Sequence, residues 1–202
     1  HNQFTAFPAL YNLGRKLWIL KLSYNSITEV TEDKFINFTQ LNQLTMTDNG
    51  LSNFSMPTSG IPLSLLCVDR NQLTEFPNVP STLKTMRASV NMISSIPEEI
   101  LVRLTSLREL TMHSNRIPLD AIPDVVGPNG ALISFSLGSN LIPHMPKWTH
   151  LGQALTKLML SRTDISVLTD EDLDPFPKLS YLDLSSTKIT QFPYLPRHGP
   201  HL

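Results

Sequence analysis

Residues 107–117 read Leu-Arg-Glu-Leu-Thr-Met-His-Ser-Asn-Arg-Ile, and residues 17–27 read Leu-Trp-Ile-Leu-Lys-Leu-Ser-Tyr-Asn-Ser-Ile. Both stretches place apolar residues at positions 1, 4, 6 and 11 and Asn at position 9. The apolar pattern occurs eight times, at spacings of 20 to 25 residues, with Asn at position 9 in six repeats and Thr in the last two. The repeats begin at Leu17, Leu41, Leu63, Leu83, Leu107, Leu132, Leu155 and Leu179.

The four apolar positions of the eight repeats give 32 slots, and all 32 hold apolar residues. Hydrophobic residues make up 41% of the chain, so chance agreement would be on the order of one in a trillion. The repeat pattern therefore decides the fold class. It predicts one continuous repeat array, without separate domain cores.

Positions 3 to 7 of each repeat alternate and predict a short strand whose residues at positions 4 and 6 face inward. Stacking of these strands predicts a parallel sheet with the remaining side chains on its outer face. The residue at position 9 turns the chain away from the sheet, and its side chain can satisfy backbone groups that the turn leaves open. This predicted Asn/Thr ladder consists of Asn25, Asn49, Asn71, Asn91, Asn115, Asn140, Thr163 and Thr187.

The segments between the strands vary in length and composition. Thr31 and Thr169 each precede acidic residues, which predicts helix N-caps followed by short helical or 3₁₀ turns. The Pro-rich segment 74–80 predicts an extended chain. The apolar register lapses at Asp120, which predicts a small bulge in the fifth repeat.

On these residues the chain resembles the leucine-rich repeat family, over nearly its whole length. The resemblance implies an α/β solenoid: a horseshoe with a parallel concave β-sheet and an irregular, 3₁₀ or short-helical convex side. The 24-residue repeats closed by Phe35 and Phe38, or by Leu173 and Phe176, resemble the typical extracellular subclass. The 20-residue repeat around residues 71–83 is similar to repeats of small proteoglycans and Toll-like receptors.

We treat residues 1–202 as a single repeat array, with a partial repeat in residues 1–16. The segment Asn2–Pro8 aligns with Asn71–Pro77, so the chain opens halfway through a repeat. Leu202 lies 23 residues after Leu179, where a ninth repeat would begin. We therefore expect both ends to be cut within a longer solenoid.

Two N-glycosylation sequons begin at Asn37 and Asn53, on the predicted convex side or its edge. The sequence favours Asn37, because Phe54 is expected to crowd Asn53. Extracellular repeats and sequons together predict a glycoprotein that is extracellular or on the cell surface.

The resemblance makes the concave face the default binding surface. The middle of that face carries a candidate patch, and two tyrosines are candidate anchors further out. The candidate ligand-binding residues are Arg70, Arg87, Arg108, Glu109, His113, Arg116, Tyr24 and Tyr181. Arginine forks there can engage partner carboxylates or backbone oxygens. The same charges are also typical of a solvated sheet face without a ligand.

Composition limits the remaining chemistry. A net charge of −1 makes nucleic acid a poor default partner. The chain contains no stretch of eighteen apolar residues, so the sequence predicts no membrane span within it. Cys67 is the single cysteine and is expected to face the concavity as a lone thiol. The pair His198 and His201 has no third ligand, so no metal and no cofactor are predicted.

No catalytic motif occurs in the sequence, and we expect a non-catalytic protein-binding module of a receptor ectodomain or secreted recognition protein. Its expected partner is a protein ligand or co-receptor. One alternative is a structural adhesion or matrix component that assembles with copies of itself. Another is the regulatory ectodomain of a receptor enzyme whose catalytic part lies outside this chain.

Overall fold

The repeats stack in register into one solenoid. The computed structural model describes residues 3–10, 12–125 and 132–192. Within these residues eight strands form a parallel sheet in chain order, and two further strands pair beside it. The sheet strands are β1 (Ile19–Lys21), β3 (Gln43–Thr45), β5 (Leu65–Cys67), β6 (Thr85–Arg87), β7 (Glu109–Thr111), β8 (Ser134–Ser136), β9 (Lys157–Met159) and β10 (Tyr181–Asp183); the flanking pair is β2 (Glu29–Val30) and β4 (Asn53–Phe54).

Each sheet strand occupies positions 3 to 5 of its repeat, and like positions pair. Leu110 in β7, for example, lies between Met86 in β6 and Phe135 in β8. The predicted parallel leucine-rich repeat sheet is therefore confirmed. Each residue of an inner strand therefore has the residues at the same position of the preceding and following repeats as its neighbours.

The core is a continuous apolar column behind the sheet. Leu44, Leu66, Met86 and Leu158 are fully buried, as expected for inward-facing positions. Aromatic rings extend the column toward the convex side: Phe135 stacks on Trp148 with ring centroids 5.8 Å apart. Burial of these side chains stabilises each repeat only through its neighbours, as in other solenoids.

The Asn side chains at position 9 link neighbouring repeats. Asn115 Nδ2 donates to the carbonyl oxygens of Met112 at 2.9 Å and of Ala88, in the preceding repeat, at 3.0 Å. Its Oδ1 accepts the backbone N–H of Ile93 at 3.0 Å. Equivalent bonds to the preceding repeat are made by Asn49, Asn71, Asn91 and Asn140.

The two threonines at position 9 form fewer side-chain hydrogen bonds than the asparagines. The Thr163 hydroxyl donates to Leu160 O at 2.7 Å, and that of Thr187 donates to Leu184 O at 2.8 Å. Both acceptors belong to the same repeat as the donor. Among the described residues neither threonine side chain bonds the repeat before it, because a hydroxyl is shorter than an amide and carries fewer bonding groups.

The convex side is irregular, as predicted. It holds 3₁₀ turns at Glu32–Phe35, Leu119–Ala121, Leu151–Gln153 and Asp170–Leu173, and the α-helix α1 at Glu98–Arg103. The turns after Thr31 and Thr169 lie where they were expected. The backbone N–H of Thr169 donates to Asp172 Oδ2 at 2.8 Å, whereas the Thr31 hydroxyl bonds Asp33 and caps no backbone group.

Two convex features were not predicted: α1 itself, and the short parallel pair of β2 and β4. The 3₁₀ turn at Leu119–Ala121 occupies the point where the apolar register lapses, so the expected bulge is a tight turn. Asp120 in that turn is exposed. The segment 74–80 contains no helix, in agreement with its proline content.

Candidate ligand-binding surface

The concave face consists of four rows of outward side chains, at positions 3, 5, 7 and 8 of the repeats. Positions 3 and 5 lie on the strands, and position 8 follows the strand in a left-handed turn. The position 8 residues have φ angles of 54–60°: Tyr24, Asp48, Arg70, Val90, Ser114, Ser139, Arg162 and Ser186. We call the residues at position 2 the amino rim of this face and those at position 10 its carboxyl rim.

The predicted patch lies on this face but spreads across its full width. Arg87 is exposed in the middle of the sheet, where the register places it between Cys67 and Thr111. Glu109 is exposed at the start of β7 and lies between Thr85 and Ser134.

Arg108 stands on the amino rim. Its carbonyl oxygen accepts the N–H groups of Ile133 and Ser134 at 2.9 and 3.0 Å, which fixes its backbone while its side chain remains exposed. Arg116 is exposed on the opposite, carboxyl rim of the same repeat, just beyond Asn115. The two arginines therefore border the face rather than meet on it.

Arg70 and His113 already have intramolecular contacts. Arg70 Nε lies 3.1 Å from Asp48 Oδ1, its neighbour in the position 8 row. His113 is exposed, with Nδ1 3.3 Å from the Ser114 hydroxyl. Arg70 is thus partly neutralised before any partner arrives, which separates it from Arg87 and Arg108.

Tyr24 and Tyr181 do not join the central patch. They lie in the first and last of the eight repeats, which are roughly 34 Å apart at ordinary strand spacing. Tyr24 is 56% exposed and Tyr181 50% exposed. Each can serve only a partner that extends well beyond the centre of the face.

A hydrogen-bonded cluster in the third repeat was not foreseen. The Cys67 thiol donates to Asp69 Oδ2 at 3.2 Å and lies 3.1 Å from the Thr47 hydroxyl. Asp69 Oδ1 accepts the backbone N–H of Ser89 at 2.6 Å. Burial raises the pKa of the Cys67 thiol, so Cys67 acts as a neutral donor within the sheet face.

The later repeats form a shallow depression on the same face. Its lining includes Glu109, Ser134, Lys157, Met159 and Tyr181, and its volume is about 460 Å³. The small residues beside it allow close approach of neighbouring repeats. A Cβ on Gly138 would lie only 2.8 Å from Ser161 O, so a larger residue at position 138 would push the two repeats apart.

The carboxylate of Asp183 is engaged at the far end of the face. Its Oδ1 accepts the Ser185 backbone N–H at 2.9 Å. Hydrogen bonds from the Ser185 side chain and backbone lower the pKa of Asp183 below its ordinary value, with a smaller contribution from Ser161. Asp183 is therefore a fixed negative charge beside Tyr181.

The two sequons lie away from the concave face. Asn53 is exposed in β4, and its Nδ2 donates to Glu29 Oε1 at 2.9 Å. Phe54 is only 4% exposed and points into the core, so the expected crowding of Asn53 was wrong. Asn37 is half-buried after the first 3₁₀ turn and is the less accessible of the two.

Within the described ranges, no cluster of His, Cys, Asp and Glu could hold a metal ion. His198 and His201 lie outside those ranges. The described part of the chain also has no helix long and apolar enough to cross a membrane.

The repeat pattern, the stacked parallel strands and the Asn ladder define a leucine-rich repeat solenoid. In sequence the chain is similar to leucine-rich repeat proteins of the extracellular type. Keratocan of Gallus gallus is 26% identical over 181 residues, which are 87% of this chain and 51% of keratocan. Lumican of Coturnix japonica is 29% identical over 176 residues, which are 85% of this chain and 51% of lumican. No protein-family model matches the chain.

Solved structures agree on the fold. A leucine-rich repeat protein of Leptospira interrogans superposes with a TM-score of 0.77 at 25% identity, over 96% of this chain and 49% of that one. FLRT2, in an octameric complex with latrophilin 3 and Unc5D, superposes with a TM-score of 0.73 at 22% identity, over 92% of this chain and 65% of that one. TLR13 in complex with ssRNA13 superposes with a TM-score of 0.70 at 21% identity, over 89% of this chain and 26% of that one.

The chain spans about half the length of the keratocan and lumican sequences that it matches. These relatives are secreted proteins of the extracellular matrix, and the extracellular or cell-surface location predicted from the repeats is confirmed.

Proposed function

We propose that the chain is a non-catalytic protein-binding module, part of a receptor ectodomain or of a secreted recognition protein, that holds its ligand on the concave face. The observation that carries the proposal is the make-up of that face: arginine side chains that have no partner among the described residues, interleaved with exposed apolar and aromatic side chains. Arginine and aromatic residues are enriched in protein interfaces.

The relatives support the non-catalytic part of the proposal, because they are proteoglycans without enzymatic activity. The solved complexes contain either protein or RNA partners: FLRT2 is assembled with proteins, and TLR13 is in complex with ssRNA13. We favour a protein partner over nucleic acid, since this chain has a net charge of −1 and its concave face carries carboxylates among the cations.

A glycan placed on the concave face tests the proposal. Thr45→Asn creates a sequon with Met46 and Thr47 at the end of β3. Glu29→Asn creates a matched sequon with Val30 and Thr31 in β2, beside the sheet rather than on it. The protein, secreted from eukaryotic cells, is first screened against an array of extracellular proteins, and each hit is titrated with both variants.

We expect Thr45→Asn to weaken binding of the hit by at least about tenfold, because a glycan excludes a partner from roughly the area of one standard contact patch. Glu29→Asn should leave binding unchanged. Loss of binding with Glu29→Asn alone would overturn the proposal, as would a hit that binds only as the chain associates with itself.

We also propose that Asn53 and Asn37 carry N-linked glycans, with Asn53 the more fully occupied. Its exposure in β4 supports this order, and so does the buried position of Phe54. Intact-mass measurement before and after glycosidase treatment of Asn37→Gln and Asn53→Gln checks it. A wild-type mass without glycan, or a glycan on Asn37 alone, would contradict the proposal.

A further inference from the structure

Charge is segregated between the two sides of the solenoid. The concave face with its two rims carries nine basic and five acidic side chains, and the remainder of the sequence carries seven basic and twelve acidic ones. The net charge of −1 therefore conceals a positive concave side and a negative remainder. A partner that approaches the concave side meets a positive field, which favours negative groups.

Four cations at the centre of the positive side have no partner within the part of the chain that the structure describes. Lys84, Arg87, Arg108 and Arg116 are all exposed, and among the described residues none forms an ion pair or a side-chain hydrogen bond. Arg70 and Lys188, by contrast, are paired with Asp48 at 3.1 Å and Asp164 at 2.6 Å. Of the nine basic side chains, seven thus lack a partner among the described residues, and four of these seven lie in the fourth and fifth repeats; the other three are Lys21, Lys157 and Arg162.

These cations form a path across the face in the direction of the strands. Lys84 and Arg108 stand side by side on the amino rim of neighbouring repeats, since the Arg108 N–H donates to Lys84 O at 2.8 Å. Arg87 lies three residues further along, about 10 Å away at the ordinary rise of a strand. Arg116 ends the path on the carboxyl rim.

The residues beside this path are unsuited to a uniform polyanion. Glu109 follows Arg108 directly, and Asp69 lies one repeat from Ser89 with its carboxylate bound to the Ser89 N–H. Val90 is 43% exposed beside the path. A chain of sulfates or phosphates would place charge against these carboxylates and leave the apolar side chain without a contact. A protein segment can alternate carboxylates with apolar and polar side chains.

From this arrangement we infer that the fourth and fifth repeats bind an acidic, partly apolar segment of a protein partner, with carboxylates about three residues apart when the segment is extended. Arg87 and Arg108 form bidentate bonds with two of these carboxylates, and Val90 contacts an apolar side chain of the segment beyond the carboxylate that Arg87 holds. The inference rests on the proposed function and specifies the partner of that same face.

The probe for the test is a fluorescein-labelled peptide of Glu-Leu-Ser repeats, and its Gln-Leu-Ser counterpart is the uncharged control. Anisotropy titrations compare wild type with Arg87→Gln and Arg108→Gln. Lys21→Gln is the matched control, because Lys21 occupies the same position of the first repeat as Arg87 does in the fourth. A heparin-derived oligosaccharide and a single-stranded oligoribonucleotide serve as competitors.

We expect the Glu peptide to bind at least about tenfold more tightly than the Gln peptide at low salt, and to lose most of that advantage at about 0.5 M NaCl. Arg87→Gln and Arg108→Gln should each weaken it about fivefold or more, and Lys21→Gln less than twofold. Equal affinity for both peptides, an equal loss with Lys21→Gln, or tighter binding of either competitor would overturn the inference.

The two proposals fail differently. If the Thr45→Asn glycan blocks the protein hit but Arg87→Gln and the salt concentration leave that hit unaffected, the concave face is the binding face and the acidic segment is wrong. If the glycan has no effect on the hit, the proposed function itself is wrong.

Discussion

At the scale of single residues, position 9 decides how tightly one repeat holds the next. Asn115 and Asn140 each bridge to the preceding repeat, whereas the Thr163 side chain, among the described residues, bonds only Leu160 of its own repeat. An amide can donate to two carbonyls and accept an N–H, and a hydroxyl of shorter reach cannot do all three.

Thr163→Asn is therefore expected to stabilise the chain. The new amide can reach Ile142 N–H and Leu137 O, as Asn140 reaches the equivalent Ile117 N–H and Met112 O. We expect the free energy of unfolding to rise by about 0.5–1.5 kcal/mol, the net value of a buried hydrogen bond. Urea unfolding followed by circular dichroism measures it.

Two Asn→Ala substitutions, one in the ladder and one outside it, serve as controls. Asn115→Ala leaves buried backbone groups unpaired and should cost about 2–4 kcal/mol, while Asn12→Ala at an exposed site should cost under about 0.5 kcal/mol. A decrease in stability for Thr163→Asn would mean that the seventh repeat has packed around the smaller side chain and has no room for the amide.

Val90 is the residue least suited to its backbone. Its φ angle is 56°, and a branched Cβ carbon makes this left-handed conformation costly. Val90→Asn should raise the free energy of unfolding by about 0.5–1.5 kcal/mol, because Asn tolerates positive φ better than Val. Ser114→Asn, at the same position of the next repeat, is the matched control, and its free energy of unfolding should rise by less. An unchanged or lower stability for Val90→Asn would show that its apolar contacts outweigh the strain.

At the scale of elements, the strands could be predicted and the segments between them only in part. The strands follow from alternation at fixed spacing, and all eight described sheet strands lie at positions 3 to 5. Helix α1 was missed because Pro97 supplies no side-chain cap and Glu98 and Glu99 are equally typical of a solvated loop. The pairing of β2 with β4 depends on contacts between repeats, which a local pattern does not contain.

The binding surface shows the same division. That Arg87, Arg108 and Glu109 are exposed on the sheet face could be predicted from their positions. That Arg70 is paired with Asp48, and that Asp69 is held by Ser89 and Cys67, could not. Such pairs join different repeats, so they depend on the register between strands and on side-chain rotamers.

One convex element is held by a single carboxylate. Asp124 accepts backbone N–H bonds from Thr149, His150 and Leu151 at 2.8–3.0 Å and so fixes the start of the 3₁₀ turn Leu151–Gln153. Burial raises the pKa of Asp124, but the hydrogen bonds from Leu151, His150 and Thr149 outweigh it, and the pKa lies below its ordinary value.

A depressed pKa fixes the sign of the pH dependence. Asp124 contributes stability above the ordinary Asp value of about 3.9 and loses it as the pH falls through the lower folded-state pKa. Asp124→Asn should therefore cost about 1–3 kcal/mol at neutral pH, and the difference from wild type should shrink in strong acid. Urea unfolding at pH 7, 4 and 2.5 measures it, with exposed Asp120→Asn as the control. A difference that stays constant over this range would show that the charge of Asp124 has no part in the effect.

At the scale of the whole molecule, the sheet and its core are continuous, and each repeat is stabilised only by its neighbours. Leu110 in the middle of the sheet is 1% exposed, while Leu182 in β10 and Leu184 just after it are only partly buried. Within the described residues β10 pairs on one side only, with β9.

Hydrogen exchange should therefore be graded along the chain. We expect the amides of β6, β7 and β8 to exchange most slowly and those of β10 fastest among the sheet strands, because local opening costs least where burial is incomplete. Leu110→Ala, which should cost about 2–5 kcal/mol, should lower protection in β6 to β8 more than in β1. Leu184→Ala should affect β9 and β10 alone. Exchange measured by mass spectrometry distinguishes this from a single cooperative unit, in which Leu110→Ala would lower protection equally in every strand.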